Sequence, residues 1–352
     1  MRGVEVNTRG ARRSGRARPP IARVALLAAG LALLAGLAYT SYGVVVGSDA
    51  IVHPGGSSDC RTPMVRYGWA YEAINYDMAD DVLLQRANPT LQQCADQGET
   101  AGDEVVTTDG VRLAGWYIPA SGGIGPTGAT VVLVHGWASN KSGVLKYAVP
   151  LHPAFNLVAF DLRNGGRSSR TGTTFGSKER LDVAAIIDWL ERTKHPSRVA
   201  VMGSSMGGVA ALLEAGEDPR VDALILDSVH ARAEDVIARG LEVDHGQPSV
   251  PGTPAILLGI WLRTGVNLLA TNPIDAIPAL GDRPLLLLHG TADLHDLPVR
   301  SVEANYQAAR AAGVPVEMHL CPGATHGNVI DVCPDAWRRW SVGFLERAIG
   351  GT

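Results

Sequence analysis

From residue 103 onward the chain alternates short apolar runs, rich in β-branched residues, with stretches whose apolar side chains recur at helical spacing. No other feature limits its fold so tightly. Strands buried on both faces read as unbroken apolar runs, and parallel strands must be joined by crossover segments that are usually helical. The alternation therefore predicts an α/β fold, a mostly parallel sheet with flanking helices. Strand runs fall at 104–107, 111–118, 130–135, 156–161, 198–202, 223–226, 284–289 and 316–320, which makes an eight-stranded sheet. The first two flank Asp109-Gly110, a good hairpin turn pair. Helical patterns occupy 177–193, 206–215, 299–312 and 335–349. Residues 231–282 far exceed an ordinary connection of about 2–6 residues, which predicts a small helical cap.

The N-terminal part obeys different rules. Seven arginines against Glu5 give the first 23 residues a charge of +6, leaving −10 on the remainder of a chain whose net charge is −4. A folded part that acidic lacks the basic footprint of a nucleic-acid binder, so nucleic acid is not an expected partner. Residues 24–48 carry no charged side chain, and 24–46 is long enough to cross a hydrocarbon core of roughly 30 Å as a helix. The preceding arginines place the N-terminus in the cytoplasm and the folded part outside. The rival reading is a signal peptide cleaved near Gly36-Leu37-Ala38. The expected organisation is a basic tail (1–23), a membrane anchor (24–46), a stalk and extension (47–102) and one α/β domain (103–350) with its cap at 231–282. The extension shows no sustained strand alternation, although Tyr67, Trp69, Tyr71 and Tyr76 suit packing on a surface. Export favours pairing of the four cysteines. Three pairings are open; Cys60–Cys94 and Cys321–Cys333 are preferred because each closes a local segment.

Gly203-Ser204-Ser205-Met206-Gly207 lies between a strand run and a helical run, the strand–turn–helix context that G-x-S-x-G chemistry needs. Ser205 is the expected nucleophile, with Ser204 as its rival. The helix that starts directly after it makes the Met206 N–H one expected oxyanion donor. Residues 131–137 read as a buried strand ending in His135-Gly136-Trp137, which makes the Trp137 N–H the second donor and leaves His135 to brace the loop. The Trp137 indole either walls an acyl site or packs under the cap. Asp293 follows His289-Gly290 at a strand end, where a triad acid belongs, and is preferred over Asp296 and Asp227. His326, in the polar loop after the last strand, is the expected base. Cys321 and Cys333 bracket that loop, so their disulfide would hold His326 in place. His289, Asp293, His295 and Asp296 cluster without a usual metal-ligand spacing.

These segments resemble, in order, the α/β-hydrolase superfamily. The opening hairpin lies at 107–116, then come His135-Gly136-Trp137, residues 160–168, the serine pentapeptide, His289 to Asp293, and Gly323-Ala324-Thr325-His326-Gly327. The likeness runs from about residue 103 to the C-terminus and is strongest to small-cap serine esterases, lipases and peptidases. It implies the α/β-hydrolase fold and a mechanism free of metal and cofactor. Ser205, Asp293 and His326 would form the triad, and water would release the acyl-enzyme. The expected function is hydrolysis of carboxylic esters, with acyl or lipid-like substrates suggested by membrane proximity and the apolar stretch 256–262. Peptide hydrolysis and acyl transfer use the same intermediate. A catalytically silent, membrane-anchored binding protein is the reading of a different class.

Overall fold

A computed structural model describes residues 20–57, 59–74, 102–125, 128–293 and 298–350. Its strands are β1 (Glu72–Ile74), β2 (Val105–Val106), β3 (Arg112–Leu113), β4 (Gly115–Ile118), β5 (Thr130–Val134), β6 (Asn156–Phe160), β7 (Val199–Ser204), β8 (Val221–Asp227), β9 (Leu285–Gly290) and β10 (Val316–Cys321). The helices that matter for the site are α1 (Pro20–Tyr42), α2 (Lys141–Leu151), α3 (Arg180–Thr193), α4 (Met206–Glu217), α5 (Ala233–Arg239), α6 (Ser249–Thr264), α7 (Val299–Ala312) and α8 (Pro334–Ile349).

Eight strands form one sheet in the order β1-β4-β6-β5-β7-β8-β9-β10. Strands β5 to β10 are mutually parallel, while β4 runs antiparallel to both β1 and β6. The eight-stranded α/β fold expected from the sequence is thus present, with two strands reassigned. The run at 111–118 breaks after Leu113. Its first part pairs with β2 as a separate two-stranded ribbon closed at Asp109-Gly110, and only β4 joins the main sheet. The edge strand comes instead from β1, inside the stretch where no strand was expected. Three residues are too few to show an alternating pattern, so β1 had no sequence signal to give.

Side chains of the central strands alternate between two cores. Val132, Val134, Val201, Leu224 and Leu226 meet the apolar faces of α3 and α4, including Ile186, Leu190, Val209 and Leu212. Val131, Leu133, Met202, Ile225 and Leu288 meet Leu145, Tyr147 and Leu151 of α2 and Trp337, Phe344 and Leu345 of α8. Tyr67, Trp69 and Tyr71 of the extension pack against this second core; Tyr76 lies outside the described residues.

The segment between β8 and β9 carries α5 and α6, and a third apolar cluster joins it to the N-terminal helix. Val52 packs there with Ile237, Leu241, Ile256 and Ile260. Helix α1 continues through a π-helical turn (Gly43–Gly47) and a final turn (Ser48–Val52), and small residues let it lie close on α6. A Cβ at Gly43 would sit 3.0 Å from that of Ala255, and one at Gly259 would run into the Val44 carbonyl and Ser48. Residues 48–52 of the expected stalk are therefore part of this packing. The run Val24–Val52 is apolar and long enough to cross a membrane by length and composition.

Candidate active site

The turn from β7 into α4 puts Ser205 at φ 52°, ψ −126°, a strained conformation for a residue with a Cβ. The strain is held by close backbone packing that only glycines permit. A Cβ on Gly203 would strike Gly208, and one on Gly207 would strike the His135 carbonyl oxygen. The Ser205 N–H donates to the Asp227 carbonyl oxygen at 2.8 Å, fixing the turn to the neighbouring strand.

Loops after β9 and β10 bring the other two expected residues to the same place. His326 Nε2 lies 2.8 Å from Ser205 Oγ, and His326 Nδ1 lies 2.9 Å from Asp293 Oδ2. Asp293 is 2% exposed. A carboxylate can only accept, so Nδ1 carries the proton and Nε2 is left to accept from the serine hydroxyl. The disulfide Cys321–Cys333 ties the end of β10 to the start of α8 around the His326 loop. Cys60 is disulfide-bonded as well; its expected partner Cys94 lies outside the described residues.

The rival residues are placed otherwise. Ser204 is buried, its Oγ 3.4 Å from Tyr147 Oη. Asp227 is fully buried, accepting from Ser228 Oγ at 2.9 Å, with Tyr147 Oη 3.2 Å away, and burial pushes its carboxyl up to about 6. His295 and Asp296 lie outside the described residues.

On the facing loop, Gly136 lies against the serine: a Cβ there would be 3.2 Å from Ser205 Cβ. Its neighbour Trp137 follows on that loop, and Met206 opens α4, where the first N–H groups of a helix have no partner within it. His135 accepts from the Leu162 N–H through Nε2 at 2.9 Å, so its Nδ1 donates to the Gly136 carbonyl at 2.8 Å. Burial depresses its pKa, which keeps the imidazole neutral and the brace intact. The Trp137 ring is 44% exposed, and its Nε1–H donates to the Ile51 carbonyl oxygen at 3.0 Å.

Ser205 and His326 open into a pocket of about 420 Å³ walled by Trp137, Tyr147, Phe175, His230 and Val236. Sequence reasoning passed over Tyr147, Phe175, Val236 and His230, since none sits in a recognisable motif. His230 is 3% exposed, its ring against Phe175 at 5.9 Å, and its Nε2 has no hydrogen-bond partner among the described residues. Burial pushes its pKa down to about 4, and His326 acts in the same direction when it carries a charge. His230 therefore presents a neutral imidazole to whatever enters.

Comparison with known proteins agrees with this fold. The family described as having the alpha/beta hydrolase fold matches residues 129–253. An uncharacterized protein of Mycobacterium tuberculosis strain H37Rv is 32% identical over 269 residues, covering 71% of this chain and 82% of that protein. Among solved structures, an esterase of Pyrococcus furiosus superposes with a TM-score of 0.63 at 24% identity, covering 85% of this chain and 99% of that one. An acylaminoacyl peptidase of Pyrococcus horikoshii superposes with a TM-score of 0.54 at 19% identity, over 70% of this chain and 41% of that one. At such identities these structures speak for the fold alone.

Proposed function

Because this chain belongs to the α/β-hydrolase family, we propose that it is a serine hydrolase of carboxylic esters acting through an acyl-enzyme on Ser205. One observation carries the reading: Ser205, His326 and Asp293 are joined by two hydrogen bonds of 2.8 and 2.9 Å at the mouth of a pocket. In the first step the Ser205 oxygen attacks the acyl carbonyl while His326 Nε2 takes its proton. Asp293 holds the ring in the right tautomer and offsets the charge it acquires. The Met206 and Trp137 N–H groups receive the oxyanion. The C–O bond to the alcohol then breaks, His326 returns the proton to that alcohol, and water cleaves the acyl-enzyme by the same relay.

Residues 24–46 would anchor the chain with residues 103–350 on the extracytoplasmic side; secretion after cleavage is the alternative. Peptide hydrolysis is the second reading of the chemistry, since acylaminoacyl peptidases share the fold. Acyl transfer to an alcohol is separated from hydrolysis by product analysis with and without added alcohol.

The full chain in detergent should react with a fluorophosphonate probe at Ser205, located by peptide mass spectrometry. Ser205→Ala should remove the adduct and lower ester turnover by up to about a million-fold. Asp293→Asn should cost about ten-thousand-fold in kcat. Folded protein that fails to react would instead favour a silent binding protein.

A further inference from the structure

A second cavity, of about 380 Å³, adjoins the catalytic pocket, and the two share Trp137, Phe175 and Val236 as common walls. One side of it is the N-terminal helix, through Tyr42, Val46 and Ile51; the other is the segment between β8 and β9, through Ile237, Leu241 and Ile256. The lining is mainly apolar, with Asp244, His245 and Gln247 among its polar members. Its volume lies within the roughly 300–1,000 Å³ typical of small-molecule sites. We propose that this cavity is an acyl-chain site, in which the hydrocarbon tail of a membrane amphiphile lies between the N-terminal helix and α6 while its ester carbonyl reaches Ser205.

Three features select that occupant. The cavity adjoins the site of Ser205 across Trp137, Phe175 and Val236, so a chain lying in it has its head group beside the chemistry. One wall is the last third of Val24–Val52, a run apolar and long enough to span a bilayer. Beside it, α6 exposes Val250, Trp261 and Leu262, at 75%, 51% and 62%, which would suit the acyl boundary of the same membrane. The proposal rests on the serine-hydrolase reading for the fate of the chain, but the cavity's occupant can be tested without turnover.

The test uses the full chain in detergent micelles. Ala50→Trp fills the cavity from an exposed position outside the catalytic residues, and Val46→Phe does so one helical turn away. Wild-type protein should prefer p-nitrophenyl laurate over p-nitrophenyl acetate in kcat/KM. Both variants should lower that preference at least tenfold while leaving acetate turnover within twofold. A preference unchanged in both variants, with melting temperatures matching wild type, overturns the site as one for the substrate's chain. Independently, Ser205→Ala protein should take a diazirine-bearing palmitate on Tyr42, Val46 or Ile256, saturably and only without Ala50→Trp. Adducts confined to other positions overturn it too. Failure of the underlying chemistry looks different: Ser205 does not react with the fluorophosphonate, and the palmitate adducts alone then decide whether the cavity takes a chain.

Discussion

At the scale of single residues, the two carboxylates near Ser205 differ in what surrounds them, and that difference is measurable. Asp227 is fully buried on hydroxyl partners, and burial raises its carboxyl to about 6. A folded-state value above the unfolded one means that protonation adds stability, fully present below about pH 4 and lost as pH rises through 6. Asp227→Asn imitates the protonated form. It should match wild type near pH 4 and exceed it by about 3 kcal/mol at pH 8, as read by denaturant unfolding at the two values. A difference between wild type and Asp227→Asn that stays the same at both pH values would mean that the burial of Asp227 is relieved in solution. Ser205, Asp293 and His326 were legible in the sequence because each follows a strand end in a short motif. His230 and Tyr147 were not. They reach the pocket because β8 and α2 pack where they do, and no local pattern encodes that.

At the scale of elements, the loop that carries His326 is held between β10 and α8 by Cys321–Cys333. Closing a loop of this length stabilises a fold by up to about 3 kcal/mol through the unfolded chain. Replacing both cysteines with alanine should lower unfolding stability by an amount of that order. On the proposed mechanism it should also lower kcat more than it raises KM, because His326 loses its fixed distance to Ser205. Equal kcat in a folded variant would show that Asp293 and the loop's own packing suffice. The sequence marked this disulfide through proximity along the chain. It marked the parallel strands through their apolar runs, too. The edge was different: β4 finds β1 across a stretch of chain whose pairing is decided by the uncovered side of the sheet, not by a signal in Glu72–Ile74 itself. The aromatic residues preceding β1 did announce that their segment packs on something, and Tyr71 meets Trp116 edge-on at 5.9 Å.

For the molecule as a whole, the largest departure from the sequence reading concerns the N-terminal helix. Apolarity and arginines in a sequence describe a helix that leaves a protein; they carry no information on what its far end touches. Here that end lies on α6 across a seam of glycines. Gly259→Val should therefore force the two apart and cost about 1–3 kcal/mol, seen as a lower melting temperature of the full chain. Gly55→Ala, with open space around it, should leave the melting temperature unchanged. Equal behaviour of the two would mean that the seam is not formed.

The carbonyl oxygens of Ile51 and Val52 accept from the Trp137 indole, from the Thr173 hydroxyl and backbone N–H, and from Asn164. A helix fastened in this way is an axle rather than a leash. With α1 in a bilayer, the distance from the lipid surface to Ser205 is set by these bonds, without slack. If the proposed ester hydrolysis holds, the protein would then search for its substrate in two dimensions at one fixed height. A bond of identical chemistry displayed farther from the surface would pass overhead untouched.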